Sequence, residues 1–454
     1  HKNIKYKIKL LIIDHCNILN FRNCNPKTHC STRVSSISRG IIMATVVPTT
    51  DDQPSLSIVR FISELAWADA GPEVAEEQVN RLFDEASNCM ALGKWLELAS
   101  LMLTSAELVF SSQKLSEKDL DCIYTVICTL VTKTENSDEA HEIAKLICSK
   151  IILNPTEKAS LRLKILFNLF NMLEDSHSRF YVYTKILDLS INGKITELII
   201  PSIKKIENFI QEWNLSVKDQ RELFLLVVNV LKESKCPPRD TFNFLAKYLA
   251  TFSSEDVAAI AEAKDEAVLA ILEFIKAADT FQCDLMGMPV ISQLEKDPNH
   301  SLVYELLKIF LTKQLDAYTE FYTANSSELQ NYGLNHEDCL TKMRLLSLVD
   351  LASHSSCQIP YDSIRNTLQI SDEDVEVWVV KAITTKLIDC KMDQINRVVL
   401  VSRCLNRVFG DEQWKELRSK LSNWRGNVSS VINTIQANKF IEDGSQGVQG
   451  LTIR

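Results

Sequence analysis

The sequence has little glycine. It has 11 glycines in 454 residues, and between Gly93 and Gly333 only Gly193 and Gly287 occur. Sheet-rich proteins and phosphate-binding enzymes use glycine for tight turns and for close approaches of the backbone. A long stretch with two glycines therefore favours helices joined by short turns. Apolar residues make up 46% of the chain. They form no run near the length of about 18 residues that a membrane span needs, so we predict no membrane contact.

The sequence also lacks the common catalytic motifs. It contains no glycine-rich phosphate loop, no His-x-x-x-His pair and no Gly-x-Ser-x-Gly. His336, Asp338 and Cys339 are close in sequence, but thiol hydrolases bring such groups together from distant segments. We interpret Asn335–Asp338 as the acidic start of a helix. The sequence predicts no enzyme activity, no cofactor, no metal and no small-molecule substrate.

None of the thirteen cysteines forms a Cys-x-x-Cys pair. Most of the ten after residue 42 lie in apolar helical contexts, for example Cys128 and Cys148, where a free thiol acts as a small hydrophobic group. Thiols used in this way indicate a reducing compartment. We therefore expect a cytoplasmic protein.

The first 42 residues differ from the rest. They contain eight Lys or Arg and one acid, Asp14, and the first methionine is Met43. Two interpretations are open: a mitochondrial presequence, or a translated leader ahead of a native start at Met43. We expect residues 1–42 to be a disordered, non-native leader and residues 43–57 to be a flexible N-terminus. Removing the eight basic residues and the one acid from totals of 50 and 59 leaves a formal net charge of −16. Such a body repels a phosphate backbone over most of its surface.

Helical patterns with short breaks follow one another through residues 58–235 and predict a helical-repeat domain. No fixed period is visible, so the expected architecture is an irregular α-solenoid. Residues 236–405 continue the helices and end in a winged helix at about 338–402. There Ile388, Cys390 and Met392 alternate with polar residues, and Arg397–Val401 returns as a second strand. The fold class is thus all-α, with strands only in the wing.

A long helix is predicted at 409–440, before a glycine-bearing tail at 441–454 that we expect to be disordered. Seven apolar residues of this helix repeat at +3 and +4 spacing, and of the fifteen residues between them only Ile432 is apolar. Such a two-in-seven stripe is typical of a helix that packs against other helices. We call these residues the seam and predict that they form a protein interface: Trp414, Leu417, Leu421, Trp424, Val428, Val431 and Ile435.

The winged helix could alternatively bind nucleic acid. Its third helix opens with Asp372, Glu373, Asp374 and Glu376, which would face phosphates poorly. No aromatic residues alternate with the nearby cations to form a stacking platform. A protein interface is therefore favoured, and the candidates for a weak contact with an RNA backbone are Lys391, Arg397, Arg403 and Arg407.

Helical repeats that end in a winged helix resemble the PCI-domain family of the proteasome lid, the COP9 signalosome and the eukaryotic initiation factor. Within it, several stretches between about residues 75 and 430 resemble the M-subunit family of translation initiation factor three. They are Ser160-Leu161-Arg162-Leu163, Asn168-Leu169-Phe170, Trp213-Asn214-Leu215, Lys342-Met343-Arg344-Leu345-Leu346, Cys390-Lys391-Met392-Asp393-Gln394, and Arg407-Val408-Phe409-Gly410 with Gln413-Trp414.

The resemblance implies a non-catalytic subunit in the core of PCI and MPN subunits of that factor. In the family, winged helices pack side by side and C-terminal helices gather into a bundle. The assembled factor binds the small ribosomal subunit and promotes recruitment of initiator tRNA and mRNA. Two alternatives stay open: a PCI subunit of the signalosome or the proteasome lid, and an RNA-binding adaptor that works through its winged helix.

Overall fold

The computed structural model describes residues 53–68, 72–112, 115–253, 257–354, 358–408 and 410–446. The predicted leader at 1–42, most of the predicted flexible segment at 43–57 and the end of the predicted tail lie outside them. The chain divides into two compact units, one up to Thr251 and one from Phe252 onward. None of the described helices is both long and apolar enough to cross a membrane.

The first unit is built of helices. Short 3₁₀ turns lie at Thr129–Thr132 and Thr196–Leu198. The α-helices of this unit are α1 Pro54–Ala66, α2 Pro72–Ala91, α3 Trp95–Leu103, α4 Ala106–Ser111, α5 Glu117–Cys128, α6 Ser137–Ile151, α7 Ala159–Met172, α8 Ser176–Asn192, α9 Ile200–Ile203, α10 Ile206–Trp213, α11 Val217–Glu233 and α12 Pro238–Ala250. Because α1 begins at Pro54, the predicted flexible N-terminus ends earlier than residue 57. Proline suits the first position of a helix, where its fixed φ is already helical and its missing N–H costs nothing.

Helices of the first unit pack on near neighbours in the chain. Helix α7 packs on α5 and α8, and α11 packs on α8 and α12. One apolar core runs through these contacts from Ile58 to Leu231. Local signals set the ends of the helices: Ser116 and Asp119 form a capping box before α5. Gly193 ends α8 where an added Cβ would lie 2.9 Å from the carbonyl oxygens of Leu189 and Pro155. The predicted helical array is confirmed.

The boundary predicted between residues 235 and 236 is wrong for the first unit. The helical-repeat domain was predicted to end at residue 235, but residues 234–237 only link α11 to α12, which packs on α11, and the first unit extends to Thr251. Buried Leu245 and Leu249 are part of the apolar face of α12. A proline pair ends one helix and starts the next whether or not a domain ends there.

The second unit continues with helices before its sheet. They are α13 Val257–Glu262, α14 Lys264–Lys276, α15 Pro289–Ser292, α16 Ser301–Thr312, α17 Leu315–Asn331 and α18 His336–His354, with 3₁₀ turns at Leu285–Gly287 and Gln293–Lys296. Helix α18 packs on α14 and α17. Its buried face includes Met343, Leu346 and Val349.

The predicted winged helix follows. Strand β1 Gln358–Pro360 leads into α19 Tyr361–Leu368 and α20 Val375–Thr384, and the hairpin of β2 Ile388–Asp393 and β3 Val398–Cys404 completes it. The sheet order is β1-β3-β2 and both pairings are antiparallel. Ile359 pairs with Val399, and Met392 pairs with Val399 from the other side. The central strand β3 is thus paired on both sides at the buried Val399. The prediction that strands are confined to this module is confirmed for the described residues.

The last helix is longer than predicted. Helix α21 runs from Asp411 to Gln446, 36 residues, so the expected end at 440 and the expected disorder from 441 are wrong up to residue 446. The glycine of the tail that falls inside the helix is Gly444. One glycine in a helix costs about 1 kcal/mol relative to alanine, which is not enough to end it.

Candidate protein-interaction surface

The seam lies on α21, and its seven side chains are exposed. Their exposed fractions run from 38% at Leu417 to 67% at Trp424. Ile432, beside the seam, is 48% exposed. A stripe of this length on one helix exceeds the scattered apolar residues of an ordinary surface, and such stripes mark interaction sites.

The sequence makes the seam narrow. The side of the helix opposite to it carries Ser419, Gly426 and Asn433, and serine, asparagine and charged residues fill most positions between. A helix that is covered by its own domain normally shows a wider apolar face. The geometry is therefore that of one side of a helix bundle or coiled coil.

The third helix of the winged module, α20, adds apolar surface that sequence reasoning did not single out. It buries Val375, Val379 and Ala382, and it leaves Val377 and Val380 62% and 48% exposed. In a short helix, the sequence pattern does not show whether an apolar residue between two buried positions is itself buried or exposed. This surface offers no row of cations to a phosphate backbone.

The acids at the start of α20 bind within the module. Glu376 accepts hydrogen bonds from Gln394 at 2.9 and 3.0 Å, and the Tyr361 hydroxyl donates to it at 3.3 Å. Asp372 forms an ion pair with Arg397, and that bond raises the pKa of Arg397. The Arg397 guanidinium also lies 5.8 Å from the Tyr361 ring. The Arg397 guanidinium is thus paired within the module, although the side chain is partly exposed.

The remaining candidates for an RNA contact separate into two kinds. Lys391 and Arg403 are exposed on β2 and β3. Arg407 is buried, and its guanidinium donates to the carbonyl oxygens of Phe310 at 2.7 and 2.9 Å and Ile309 at 3.0 Å and pairs with Asp350. Burial lowers the pKa of Arg407, whereas Asp350 acts in the opposite direction. The expectation that Arg407 reaches RNA is wrong, because its donors are used inside the fold.

Two other buried cations play the same part as Arg407. In the second unit the Lys342 ammonium donates to the carbonyl oxygens of Phe274 and, at 2.9 Å, of Ala277, and it lies 4.1 Å from the centre of the Phe274 ring. Burial lowers the pKa of Lys342 to about 7. In the first unit Arg162 donates to Glu157 O at 2.8 Å and Ile151 O at 2.7 Å.

These three cations bind carbonyls at or near the carboxyl ends of helices. Ile151 ends α6, Phe274 lies in the last turn of α14, and Phe310 lies in the last turn of α16. The final carbonyls of a helix have no partner within it, and its carboxyl end attracts positive charge. A buried cation satisfies both conditions. The sequence signal was stronger for Arg162, which lies between Leu161 and Leu163, than for Lys342, which lies between Thr341 and Met343.

His336 and Cys339 do not form a reactive pair. The His336 ring stacks on Tyr322 at 3.9 Å between ring centroids, and its Nδ1 lies 3.2 Å from the Tyr318 hydroxyl. Burial raises the pKa of Cys339, which disfavours the thiolate that a nucleophile needs. The same cause raises the pKa of Cys148 to about 12. Among the described residues, no cluster of His, Cys, Asp and Glu side chains has metal-binding geometry.

The comparisons with known proteins agree with this architecture. Residues 319–403 match the family described as PCI domain, and residues 407–435 match the family described as the C-terminal helix of eIF3 subunit M. The first match begins within α17 and covers the winged module, and the second covers the seam.

Relatives resemble the chain over a much longer range. Eukaryotic translation initiation factor 3 subunit M of Dictyostelium discoideum is 36% identical over 75% of this chain and 84% of its own length. The subunit of Gallus gallus is 31% identical and that of Homo sapiens 29% identical, each over 71% of this chain and 84% of its own length.

The helical array and the terminal winged helix define a PCI-domain protein. The extent of the similarity, which includes the helix that carries the seam, narrows this class. The chain belongs to the family of eukaryotic translation initiation factor 3 subunit M. The resemblance drawn from sequence motifs is confirmed, and the signalosome and proteasome-lid alternative is not favoured.

Proposed function

We propose that this chain is a non-catalytic structural subunit of eukaryotic translation initiation factor 3. Its work is to hold other subunits in place in the cytoplasm, and the assembled factor supports recruitment of initiator tRNA and mRNA to the small ribosomal subunit. The names of the relatives support the complex. The observation that carries the mode of action is the exposed seam on α21.

The proposed partners are other PCI and MPN subunits of the factor. An apolar seam of seven residues stays in water unless a helix of another subunit covers it, and its burial gives the free energy of association. The apolar surface of α20 supports a second protein contact through the winged module. Contact with the ribosome is made through the complex.

Replacing both seam tryptophans tests the proposal. Trp414 and Trp424 are 59% and 67% exposed, so Trp414→Ala with Trp424→Ala should leave the fold and melting temperature of the purified chain nearly unchanged. In an interface each tryptophan is worth about 2 kcal/mol or more, which corresponds to roughly a thirtyfold loss of affinity. The tagged variant should therefore recover less than a tenth of the initiation factor subunits recovered by the unmodified chain.

The control is Ser419→Ala with Asn433→Ala, two changes on the opposite side of the same helix. It should recover the complex normally when co-purified subunits are quantified by mass spectrometry against the tagged chain. Equal recovery by the tryptophan variant would refute the role of the seam. Recovery of signalosome or proteasome-lid subunits in place of initiation factor subunits would refute the proposed complex.

A further inference from the structure

The charges beside the seam carry a further inference, which rests on the proposed function. In heptad notation Trp414, Leu421, Val428 and Ile435 occupy position a, and Leu417, Trp424 and Val431 occupy position d. The flanking positions e and g meet the partner helix at the edge of a coiled-coil interface. From residue 418 to residue 434 they are, for e, Arg418, Arg425 and Ile432 and, for g, Lys420, Asn427 and Thr434.

Every charged residue at these flanking positions is basic. Between Gln413 and Gln436 the one acid is Glu416, at position c. Its carboxylate pairs with the Lys420 ammonium at 2.6 Å. Position c lies further from the partner helix than e and g, so Glu416 does not border the interface as Lys420 does. Arg418, Lys420 and Arg425 are exposed. The first half of the seam is therefore bordered by positive charge, in a chain whose formal net charge is −9.

This pattern disfavours a second copy of the chain as the occupant. In a parallel pair of helices position g faces position e of the next heptad, which would set Lys420 against Arg425 of the other copy. In an antiparallel pair e faces e and g faces g, so arginine or lysine again meets its own kind. Like charges at such positions oppose pairing.

We infer that the seam selects a helix from a different polypeptide with Glu or Asp at the flanking positions of its own apolar stripe. The selection acts in the first half of the seam, from Arg418 to Arg425. In the second half the flanking residues are neutral, and Ile432 widens the apolar stripe. Binding there depends on apolar burial, and the charged half decides which helix is accepted.

A membrane or an RNA fits the same residues less well. Helices that lie on membranes combine a broad apolar face with cations spread over the polar face. Here the apolar stripe is narrow and the polar face is rich in serine and asparagine, for example Ser422, Asn423 and Ser430. An RNA backbone would use the cations and leave the seven apolar residues in water.

The test uses the full chain and two synthetic helical probes. Both probes carry the same leucine and valine seam; one has glutamate at every e and g position and the other has lysine. Each of the three flanking cations attracts the glutamate probe and repels the lysine probe, which predicts roughly tenfold to hundredfold tighter binding of the glutamate probe. Fluorescence anisotropy of labelled probes measures both affinities, and added salt should shrink the difference.

A charge reversal provides the decisive variant: Arg418→Glu, Lys420→Glu and Arg425→Glu together should invert the preference. The matched control reverses three exposed lysines of the first unit, Lys204→Glu, Lys205→Glu and Lys218→Glu, which changes the net charge by the same amount. It should keep the preference for the glutamate probe.

Several results would overturn the inference: equal affinity for the two probes, binding of neither probe, or self-association of the chain through α21 in sedimentation experiments. So would binding to vesicles that contain phosphatidylserine, or to a single-stranded RNA, that is as tight as binding to the glutamate probe. These outcomes are distinct from failure of the proposed function. Equal affinity for both probes would mean that the seam is an interface without charge selection. Normal recovery of the complex by the tryptophan variant would mean that the seam is not needed for assembly, and it would not change which probe the chain prefers.

Discussion

Helices α11 and α21 both carry leucine and valine, but α11 buries these side chains and α21 exposes them. Helix α11 buries Leu223, Phe224, Val227, Val228, Val230 and Leu231, which spread over a wide face because it packs on both α8 and α12. Helix α21 has two apolar residues in seven on one line, and they are exposed. The width of the apolar face, more than its hydrophobicity, distinguishes a helix covered by its own unit from one left for a partner.

Basic side chains show a similar contrast between those covered by their own unit and those open to solvent. Inside the units Arg162, Lys342 and Arg407 bind helix carbonyls. On α21 the cations Arg418 and Arg425 lie beside the seam and are exposed. The covered side chains therefore satisfy helix carbonyls within the fold, whereas the open ones remain in contact with solvent.

The largest effect should come from removing a covered cation. Arg407→Ala removes the guanidinium that donates to the carbonyls of Ile309 and Phe310 and pairs with the carboxylate of Asp350. Breaking such a buried pair costs about 4 kcal/mol. Arg418→Ala on α21 should change the free energy of unfolding by less than about 0.5 kcal/mol. Urea unfolding followed by circular dichroism measures both. A loss below 1 kcal/mol for Arg407→Ala would remove the distinction between the two kinds of cation.

A matched pair of leucines gives the next effect. Leu223 on α11 is 0% exposed, and Leu223→Ala should cost about 3 kcal/mol through the lost burial and the cavity left behind. Leu421 on α21 is 52% exposed, and Leu421→Ala should change stability by less than about 0.5 kcal/mol. The same urea experiment compares them. Similar losses at both positions would mean that the chain itself covers the seam in solution.

Sequence periodicity was sufficient for the elements whose pattern is local. The winged module was predicted with its hairpin, because the alternation at Ile388, Cys390 and Met392 is that of a half-buried strand. The seam was predicted for the same reason, since a narrow stripe is visible without knowledge of the neighbours. Whether a partner covers it is a property of a second molecule, so no pattern in this chain decides it.

Features that depend on contacts between distant segments were missed. Arg407 appeared to be one more cation near the wing, because the carbonyls it binds lie 97 and 98 residues earlier in the chain. The boundary after α11 was misplaced since a proline pair looks the same in a turn between packed helices and in a linker. Arg162 and Lys342 lie in stretches that carried the family resemblance, but their binding to carbonyls at helix ends was not predicted.

The smallest effect concerns how stability responds to pH at Lys342. Its pKa is lowered from 10.5 to about 7, chiefly by burial, while Cys283, Cys339 and Asp279 act in the opposite direction. Between these two values the unfolded chain binds more protons than the folded chain, so raising the pH increases the free energy of unfolding. One such proton is worth at most about 1.4 kcal/mol per pH unit, and from pH 7.5 to 8.5 we expect Lys342 alone to contribute a gain of about 1 kcal/mol, which opposes the contribution of the buried thiols.

Lys342→Met should remove this gain. The variant also loses the hydrogen bonds to Phe274 and Ala277, which lowers its stability by an amount that does not vary with pH. The informative quantity is thus the difference in unfolding free energy between the two proteins at each pH, in which the contributions of thiols and amines remote from Lys342 cancel. Lys420→Met, at an exposed lysine of α21, should keep the pH response of the unmodified chain. A Lys342→Met protein that gains as much stability with pH as the unmodified chain would show that the buried ammonium keeps its proton in this range, and that covered and open lysines respond to pH alike.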